Sequence, residues 1–310
     1  MKDNPPHQPV LYNEIIYYLK PRRSGRYVDG TLGAGGHARG ILQASEPDGM
    51  ILGFDVDFQA LQIAQKQLES YLERIFFVQS SFTNLKKELH AKGWQKVDGI
   101  LLDLGLSSMQ LDTAERGFSF RAEGLLDMRF DQQGSQSAMD LVNGLPESDL
   151  ADLIFRYGEE KRSRQVAKAI ISARPIETTV ELAKVVATAT RSGRHGLHPA
   201  TRTFQALRIA VNDELQALEE VLPQAIDSLK PGGRLAVIAY HSLEDRIVKH
   251  YFRQESRDCI CPQDQIVCNC EHKALIQLIT KRPIRPQEEE IRDNPRARSA
   301  RLRVVERLSS

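Results

Sequence analysis

The segment from Asp29 to Gly36 has the composition of a ligand-binding turn. It reads Asp-Gly-Thr-Leu-Gly-Ala-Gly-Gly and lies between an apolar stretch that predicts a strand and a pattern that predicts a helix. We call this segment the glycine loop. Glycine lets the backbone approach a ligand closely, and the first turn of a helix offers unpaired N–H groups. Asp55 lies twenty residues beyond Gly35, at the end of the next predicted strand, where a carboxylate can bind ribose hydroxyls. The spacing therefore predicts a nucleotide-like cofactor, and a tight turn that binds nothing is the alternative.

The glycines alone do not identify that cofactor. Gly33 and Gly35, followed by Ala38, fit the fingerprint of a nicotinamide dinucleotide site as well as a site for S-adenosylmethionine. Asp29 favours S-adenosylmethionine, because an acid directly before the glycines is unfavourable beside a pyrophosphate. The same acid suits a cofactor that carries an ammonium and a sulfonium group.

Two further side chains follow predicted strands. Phe82 comes after the third strand and Asp103 ends the fourth, and open α/β sheets bind ligands at the carboxyl ends of their strands. Phe82 is expected near an adenine and Asp103 at the same edge. The alternatives are a core aromatic for Phe82 and a helix cap for Asp103.

His241 follows the predicted fifth strand, within the segment Tyr240–Arg246. It is expected beside the same crevice, where an imidazole could contact substrate or move a proton. A hydrogen-bonded structural histidine is the alternative.

Two stretches are rich in basic residues. Residues 156–208 contain eleven Lys or Arg and four acids, and the segment Arg292–Arg307 contains six Arg and two acids. Concentrated positive charge is what binding to a phosphate backbone requires. An ordinary solvated helix face is the alternative for each stretch.

Four cysteines form two Cys-x-Cys pairs, Cys259 with Cys261 and Cys268 with Cys270. Four thiolates at this spacing could hold a structural zinc ion, although the pairs are tighter than the usual Cys-x-x-Cys arrangement. Free thiols and a redox-labile disulfide are the alternatives. The active site predicted from the sequence contains no metal.

The elements that must position these residues alternate between strands and helices at both ends of the chain. Residues 112–207 instead show helical patterns and loops. We therefore predict an α/β fold in which residues 1–111 and 208–310 form one discontinuous domain, with residues 112–207 inserted as a helical domain. The predicted strands are Arg26–Asp29, Met50–Asp55, Ile75–Val78, Val97–Asp103, Arg234–Ala239, Leu275–Ile279 and Leu302–Val305. Before the fifth of these, Lys230–Gly233 is expected to end a helix and form a turn.

Composition excludes several classes of protein. The 310 residues are 41% hydrophobic and 27% charged, as expected for a globular protein with a sizeable core. The net charge of +1 excludes a globally basic coat for nucleic acid. No stretch has the apolar length of a signal peptide or a membrane span, and the cysteines are too clustered for a secreted disulfide framework, so a cytoplasmic protein is expected.

Taken together, these segments resemble the RsmH/MraW family of bacterial 16S ribosomal RNA cytosine-N4 methyltransferases. The resemblance extends from His7 to Ser299. The most specific blocks are Asp29–His37, Asp98–Gly105, Ser107–Asp112, Glu115–Phe120, Leu126–Arg129, His198–Ala206 and His241–Arg246. It implies a Rossmann-like class I S-adenosylmethionine-dependent methyltransferase fold with an inserted all-helical domain that recognises RNA.

The resemblance also implies roles for individual residues. The implied cofactor-binding residues are Gly35, Gly36 and His37 at the methionine end, Asp55 at the ribose, Phe82 near the adenine, and Asp103 and Gln110 completing the pocket. The substrate would be a P-site cytidine of 16S ribosomal RNA in the small ribosomal subunit, with no membrane and no obligate protein partner involved. Asp103 and His241 are the candidate catalytic residues that would orient the N4 amine.

Three other functions are alternatives to this interpretation of the sequence. An NAD-dependent oxidoreductase fits the glycine loop, and a non-catalytic RNA-binding protein with a vestigial cofactor fold fits the basic stretches. A DNA amino methyltransferase is disfavoured, because such enzymes often carry two prolines and an aromatic residue after strand four. This chain has Asp103-Leu104-Gly105-Leu106 there.

Overall fold

The computed structural model describes residues 9–134, 136–190, 198–262, 265 and 267–309. The chain forms two compact units. We call Met1–Gly105 with Gln216–Ser310 the α/β unit, and Leu106–Leu215 the helical unit. The helical unit is longer at both ends than the predicted insertion at residues 112–207.

One sheet forms the centre of the α/β unit. Its strands in the described part of the chain are β1 (Arg26–Asp29), β2 (Met50–Asp55), β3 (Ile75–Gln79), β4 (Val97–Asp103), β5 (Leu229–Ala239), β6 (Ile276–Leu278) and β7 (Arg301–Arg307). They lie in the order β3-β2-β1-β4-β5-β7-β6. The first five are parallel, whereas β7 is antiparallel to both β5 and β6. The sheet confirms the predicted α/β, Rossmann-like fold.

The order of the strands reverses between β1 and β4. From β1 the chain proceeds to β2 and β3 on one side, and then returns to place β4 and β5 on the other. Loops that leave two neighbouring strands in opposite directions open a crevice at the carboxyl ends of those strands, which is where such sheets bind ligands. The sheet topology therefore places the expected site at the ends of β1 and β4.

Helices cover both faces of this sheet. They are α1 (Tyr12–Leu19), α2 (Gly36–Ala44), α3 (Phe58–Gln67), α4 (Leu85–Ala91), α11 (Glu214–Ser228) and α12 (Ser242–Glu255). A further short helix of this unit, α13 (Glu288–Asp293), has no buried residue. Successive residues of a strand point to opposite faces. Accordingly, Ile100 and Leu102 of β4 pack in one buried cluster and Leu101 packs in the other. A strand buried on both faces must be apolar almost throughout, which is why β4 could be recognised in the sequence.

The start of β5 differs from the prediction. Lys230–Gly233 was expected to be a turn after a helix, but the strand begins at Leu229. Val97 pairs with Leu229 and Gly99 pairs with Arg234, so the intervening residues of β5 form an irregularity in the ladder. Gly232 has a φ of +77° there. The glycines therefore mark a bulge within the strand, and not the end of the preceding helix alone.

The helical unit is built around its own core. Its helices in the described residues are α5 (Ser108–Asp112), α6 (Ala138–Gly144), α7 (Glu147–Gly158), α8 (Ser163–Ala173), α9 (Thr179–Thr190) and α10 (Thr201–Val211). Leu150, Ile154, Val166 and Ile170 are fully buried in this core. The two residues on each helix are four positions apart, so they lie on one apolar face of that helix.

Within the described residues, none of the helices combines the length and the apolar character needed to cross a membrane.

Candidate active site

Three acidic residues end three neighbouring strands. Asp55 ends β2, Asp29 ends β1 and Asp103 ends β4, and these strands are adjacent in the sheet. The sequence interpretation assigned each of them to a strand end. Because the strands are parallel, all three carboxylates lie at the same edge.

The glycine loop is fixed to the strands on either side of β1. Gly30 donates a backbone hydrogen bond of 2.9 Å to Leu101 in β4, and Leu32 donates one of 2.8 Å to Phe54 in β2. Gly35 has a φ of +84°, and a Cβ atom there would lie 2.7 Å from Leu68 Cδ1. Only glycine meets both demands without strain, since it tolerates a positive φ and needs no space for a side chain.

Asp55 accepts hydrogen bonds from this loop. The N–H of Gly33 donates to Oδ2 at 2.8 Å, and the N–H of Asp57 donates to Oδ1 at 2.9 Å. Each carboxylate oxygen has a further lone pair, so both can still accept a hydroxyl. Burial raises the pKa of Asp55 to about 6, against the opposing effect of these two N–H donors.

Asp29 is almost completely buried, with 1% of its surface exposed. Its Oδ1 accepts a hydrogen bond of 3.2 Å from the N–H of Thr31. Burial raises the pKa of Asp29 to about 7, although the nearby imidazole of His37 acts in the opposite direction. The acid that distinguished the two cofactors in the sequence is therefore poised to change its charge near neutral pH.

Asp103 is held by two neighbours that come from different elements. Its backbone N–H donates to Thr31 Oγ1 at 2.6 Å, which ties the end of β4 to the glycine loop. The hydroxyl of Tyr240, which follows β5, donates to Asp103 Oδ1 at 2.9 Å. Burial, and then the adjacent Asp103 carboxylate, raise the pKa of Tyr240 well above its usual range, so the phenol remains a hydrogen-bond donor.

His37 lies opposite the other oxygen of that carboxylate. Its Nε2 is 3.5 Å from Asp103 Oδ2, and its ring stacks on Tyr12 with the centroids 6.3 Å apart. The side chain is buried, yet neither Nδ1 nor Nε2 has a hydrogen-bond partner among the described residues. Buried polar atoms are rarely left without partners, so this imidazole is available to hydrogen-bond a ligand at this edge.

His241 has a structural task in this arrangement. It caps α12, and its Nδ1 accepts the N–H of Glu244 at 3.4 Å. Its Nε2 lies 3.2 Å from Glu244 Oε1, and its side chain is 8% exposed. Glu244 Oε2 in turn accepts the backbone N–H of Tyr240 at 2.7 Å. Nδ1 is thus used in the cap, whereas Nε2 has no hydrogen-bond partner among the described residues, so a role of His241 in proton transfer stays a prediction.

Phe82 and Gln110 lie in different units. Phe82 begins a short 3-10 helix in the α/β unit, and a Cβ atom on Gly30 would lie 3.4 Å from Phe82 Cβ. Phe82 therefore adjoins the glycine loop. Gln110 belongs to the helical unit, where it forms a capping box with Ser107 at the start of α5.

The structure thus brings most of the predicted residues to one edge of the α/β unit. These are Gly35, Gly36, His37, Asp55, Phe82 and Asp103. Their roles, like that of Gln110, remain predictions. Sequence reasoning did not select Tyr12, Thr31 or Tyr240 as site residues. Tyr240 could have been found, because it directly follows a predicted strand, and Thr31 lies within the segment Asp29–Gly36 that the sequence singled out. No pattern in the sequence indicated Tyr12.

Comparison with known proteins identifies clear relatives. A sequence model of the MraW methylase family matches residues 4–308. A protein named "Ribosomal RNA small subunit methyltransferase H" from Dehalococcoides mccartyi is 52% identical over 98% of this chain and 87% of its own length. The protein of the same name from Syntrophobacter fumaroxidans is 50% identical over 97% of this chain and 96% of its own length.

The structure of an rRNA methylase from Streptococcus thermophilus aligns over 100% of this chain and 99% of that one, with 13% identity and a TM-score of 0.41.

Proposed function

The chain belongs to the MraW methylase family, and we propose that it transfers a methyl group from S-adenosylmethionine to the N4 amine of a cytidine in small-subunit ribosomal RNA. The observation that carries this proposal is the identity of half of the residues with ribosomal RNA small subunit methyltransferases over nearly the whole chain. The chain is accordingly an S-adenosylmethionine-dependent ribosomal RNA methyltransferase. Its proposed site of action is the cytoplasm, where ribosomes are. An oxidoreductase is not favoured by these relatives.

The carboxyl edge of the α/β unit suits S-adenosylmethionine. A ring N–H of His37 can donate to the carboxylate of the methionine end, and the remaining lone pairs of Asp55 can accept the ribose hydroxyls. Phe82 adjoins the glycine loop, where an aromatic ring can pack against the adenine. The bound cofactor supplies an electrophilic methyl group on a sulfonium.

The acceptor amine poses the main chemical problem. The lone pair of an exocyclic cytosine amine is delocalised into the ring, so the amine is a weak nucleophile. An enzyme can align the nitrogen with the methyl group and accept one N–H, which localises the lone pair. Positioning of this kind can contribute about 7–11 kcal/mol. As the N–C bond forms and the S–C bond breaks, the amine must also release a proton.

We assign the accepting role to Asp103. The hydroxyl of Tyr240 donates to Asp103 Oδ1. The second oxygen, Oδ2, is 3.5 Å from Nε2 of His37, which has no hydrogen-bond partner among the described residues. That second oxygen can accept an N–H from the amine and receive the departing proton. His241 is the second candidate, but one of its two ring nitrogens, Nδ1, is used in capping α12.

We assign RNA recognition to the helical unit. A cytidine within folded RNA must leave its base stack to reach a cofactor, so the enzyme has to hold the RNA on both sides of it. Exposed cations on α7 and α8 and in the turn between them supply suitable charge, namely Arg156, Lys161, Arg164 and Lys168.

The decisive experiment measures tritiated methyl transfer to small ribosomal subunits from cells that lack this protein, followed by nucleoside analysis. We expect N4-methylcytidine with the wild-type chain. We expect at least ~100-fold less with Asp103→Ala, because the amine loses the group that orients it. Asp48→Asn, at an exposed carboxylate in a loop, is the control. Absence of N4-methylcytidine would refute the function, and full activity of Asp103→Ala with normal cofactor binding would refute the assignment.

A further inference from the structure

The segment between α12 and β6 is a long loop without a hydrophobic core of its own. Its base is closed by a hydrogen bond of 2.8 Å from the N–H of Leu275 to the carbonyl of Glu255. The residues between them that the structure describes form neither helix nor strand. Two of its apolar side chains point into solvent, since Ile260 is 43% exposed and Val267 is 74% exposed. A loop of this length needs another source of order.

All four cysteines of the chain lie close together in this loop. Their sulfur atoms lie within 4.8 Å of one another. The individual distances are 3.6 Å from Cys268 to Cys270, 3.8 Å from Cys259 to Cys270 and 4.0 Å from Cys261 to Cys268. Residues i and i+2 of extended chain point to the same side, which explains how each Cys-x-Cys pair can present both thiols to one centre.

These distances fit a single tetrahedral metal ion. Four sulfurs at about 2.3 Å from a tetrahedral zinc ion are about 3.8 Å apart along each edge of the tetrahedron. A disulfide would require about 2.0 Å between two sulfurs. An iron–sulfur cluster would hold the sulfurs farther apart, because its inorganic core lies between them. The backbone N–H of Ile260 also donates to Cys270 Sγ at 3.5 Å, which stabilises a thiolate.

We propose that Cys259, Cys261, Cys268 and Cys270 bind one zinc ion that fixes the segment between α12 and β6. The ion has a structural role, because four protein ligands leave no coordination position for water or substrate. This site is independent of the proposed methyl transfer. It selects among the three possibilities that the sequence left open for these cysteines.

The first test is the metal content of the full-length protein, purified under reducing conditions without chelators. We expect one zinc per chain by elemental analysis, and stoichiometric release when a mercurial reagent modifies the thiols. Replacement by cobalt should give the charge-transfer and d–d bands of a tetrahedral tetrathiolate site. A protein without zinc whose four thiols all react freely would overturn the proposal. So would two disulfides in the native protein, or iron in place of zinc.

Variants assign the ligands. We expect Cys259→Ser and Cys268→Ser, one from each pair, to lose zinc, whereas Val267→Ser should retain it as a control beside Cys268. If a cysteine variant does not fold, the wild-type protein still provides a test. Removing its zinc should speed tryptic cleavage at Arg257 and Lys273, which are exposed at the two ends of the segment. Unchanged cleavage after complete zinc removal would contradict the structural role.

Discussion

The hydroxyl of Tyr240 donates a hydrogen bond of 2.9 Å to Asp103 Oδ1. This contact joins the ends of β4 and β5, and it fixes the carboxylate so that Oδ2 faces His37. Because Tyr240 remains protonated, it can only donate to Asp103 and cannot itself take up a proton from the amine. Tyr240 is therefore a positioning residue in the proposed mechanism.

Tyr240→Phe should separate catalysis from cofactor binding. A hydrogen bond to a charged group is worth about 1.5–3 kcal/mol, so its loss should lower kcat about 10-fold or more. The KM for S-adenosylmethionine should change little, because the glycine loop and Asp55 are untouched. Steady-state kinetics of methyl transfer measure both constants.

The matched control is Tyr251→Phe, which removes a hydroxyl from a half-buried tyrosine of α12 that packs against the core. It should leave both constants near their wild-type values. An equal loss in both variants, or a rise in KM without a fall in kcat for Tyr240→Phe, would contradict the positioning role.

Gly35→Ala tests the steric demand of the glycine loop. A residue with a side chain pays about 1–2 kcal/mol to adopt a left-handed conformation. At Gly35 the new Cβ also meets Leu68 Cδ1 at 2.7 Å, so either the loop or the side chain of Leu68, which follows α3, must move. We expect a loss of unfolding free energy larger than the backbone term alone, together with weaker binding of S-adenosylhomocysteine.

Gly93→Ala provides the comparison, because Gly93 has a φ of +73° and a Cβ there would have nothing within 4 Å. Gly93→Ala should lose only the unfolding free energy that the left-handed backbone conformation costs, and it should bind S-adenosylhomocysteine normally. Denaturant unfolding and calorimetry give both quantities. Equal destabilisation of the two variants would show that contact with Leu68 is unimportant.

The strands of the sheet could be predicted from the sequence where their own residues form a local strand pattern. Val97–Asp103 was predicted with the bounds that the structure gives, because a mostly apolar run between polar segments is typical of a buried strand. The start of β5 was predicted wrongly, because the turn pattern at Lys230–Gly233 is overridden by the pairing of this segment with β4. Pairing between distant strands is a tertiary effect that a local pattern does not contain.

The site shows the same division. Asp29, Asp55 and Asp103 could be placed at strand ends, since a strand end is a local feature. The contact between Asp103 and Tyr240 joins residues 137 positions apart, and it depends on β4 and β5 being neighbours. The unpaired state of His37 depends on which elements bury it. Strand ends are therefore predictable from sequence, whereas the partners that meet there are not.

The basic stretch at residues 156–208 divides into two groups in the structure. Some of its arginines support the fold: Arg174 donates to the carbonyls of Val142 and Leu145, and Arg208 forms two hydrogen bonds of 2.8 Å with Glu214. Others are exposed, among them Arg164 and Lys168 on α8. Only this second group is available to RNA. Arg191 and Arg194, which the same stretch includes, lie outside the described residues.

Reversing two of the exposed charges should weaken RNA binding. Arg164→Glu with Lys168→Glu should lower affinity for small-subunit RNA several-fold and reduce the slope of log K against log salt by about 1–2, since up to two phosphate contacts are lost. S-adenosylhomocysteine binding should be unchanged. Lys66→Glu with Lys87→Glu, on α3 and α4 of the α/β unit, is the charge-matched control. If both double variants lose affinity equally, the helical unit has no special role.

Stability should fall as the pH rises through the range in which Asp29 titrates. Its pKa in the folded protein is about 7, compared with 3.8 for an ordinary aspartate. Between these values the folded state retains a proton that the unfolded state has released, so raising the pH favours unfolding. The contribution is up to about 4 kcal/mol across this window, because each pKa unit corresponds to about 1.4 kcal/mol. Asp29→Asn should flatten this decline, as measured by denaturant unfolding between about pH 4 and 8.

Cofactor binding should show the opposite dependence on pH. S-adenosylmethionine carries an ammonium and a sulfonium, and ribose hydroxyls donate to a carboxylate, so binding favours the ionised forms of Asp29 and Asp55. Affinity should therefore increase with pH through about 6 to 7, with protons released on binding. Calorimetry in buffers of different ionisation enthalpy measures that release. Asp29→Asn should retain only the step near 6, which belongs to Asp55. A variant that keeps the wild-type profile would show that Asp29 does not respond to the bound cofactor.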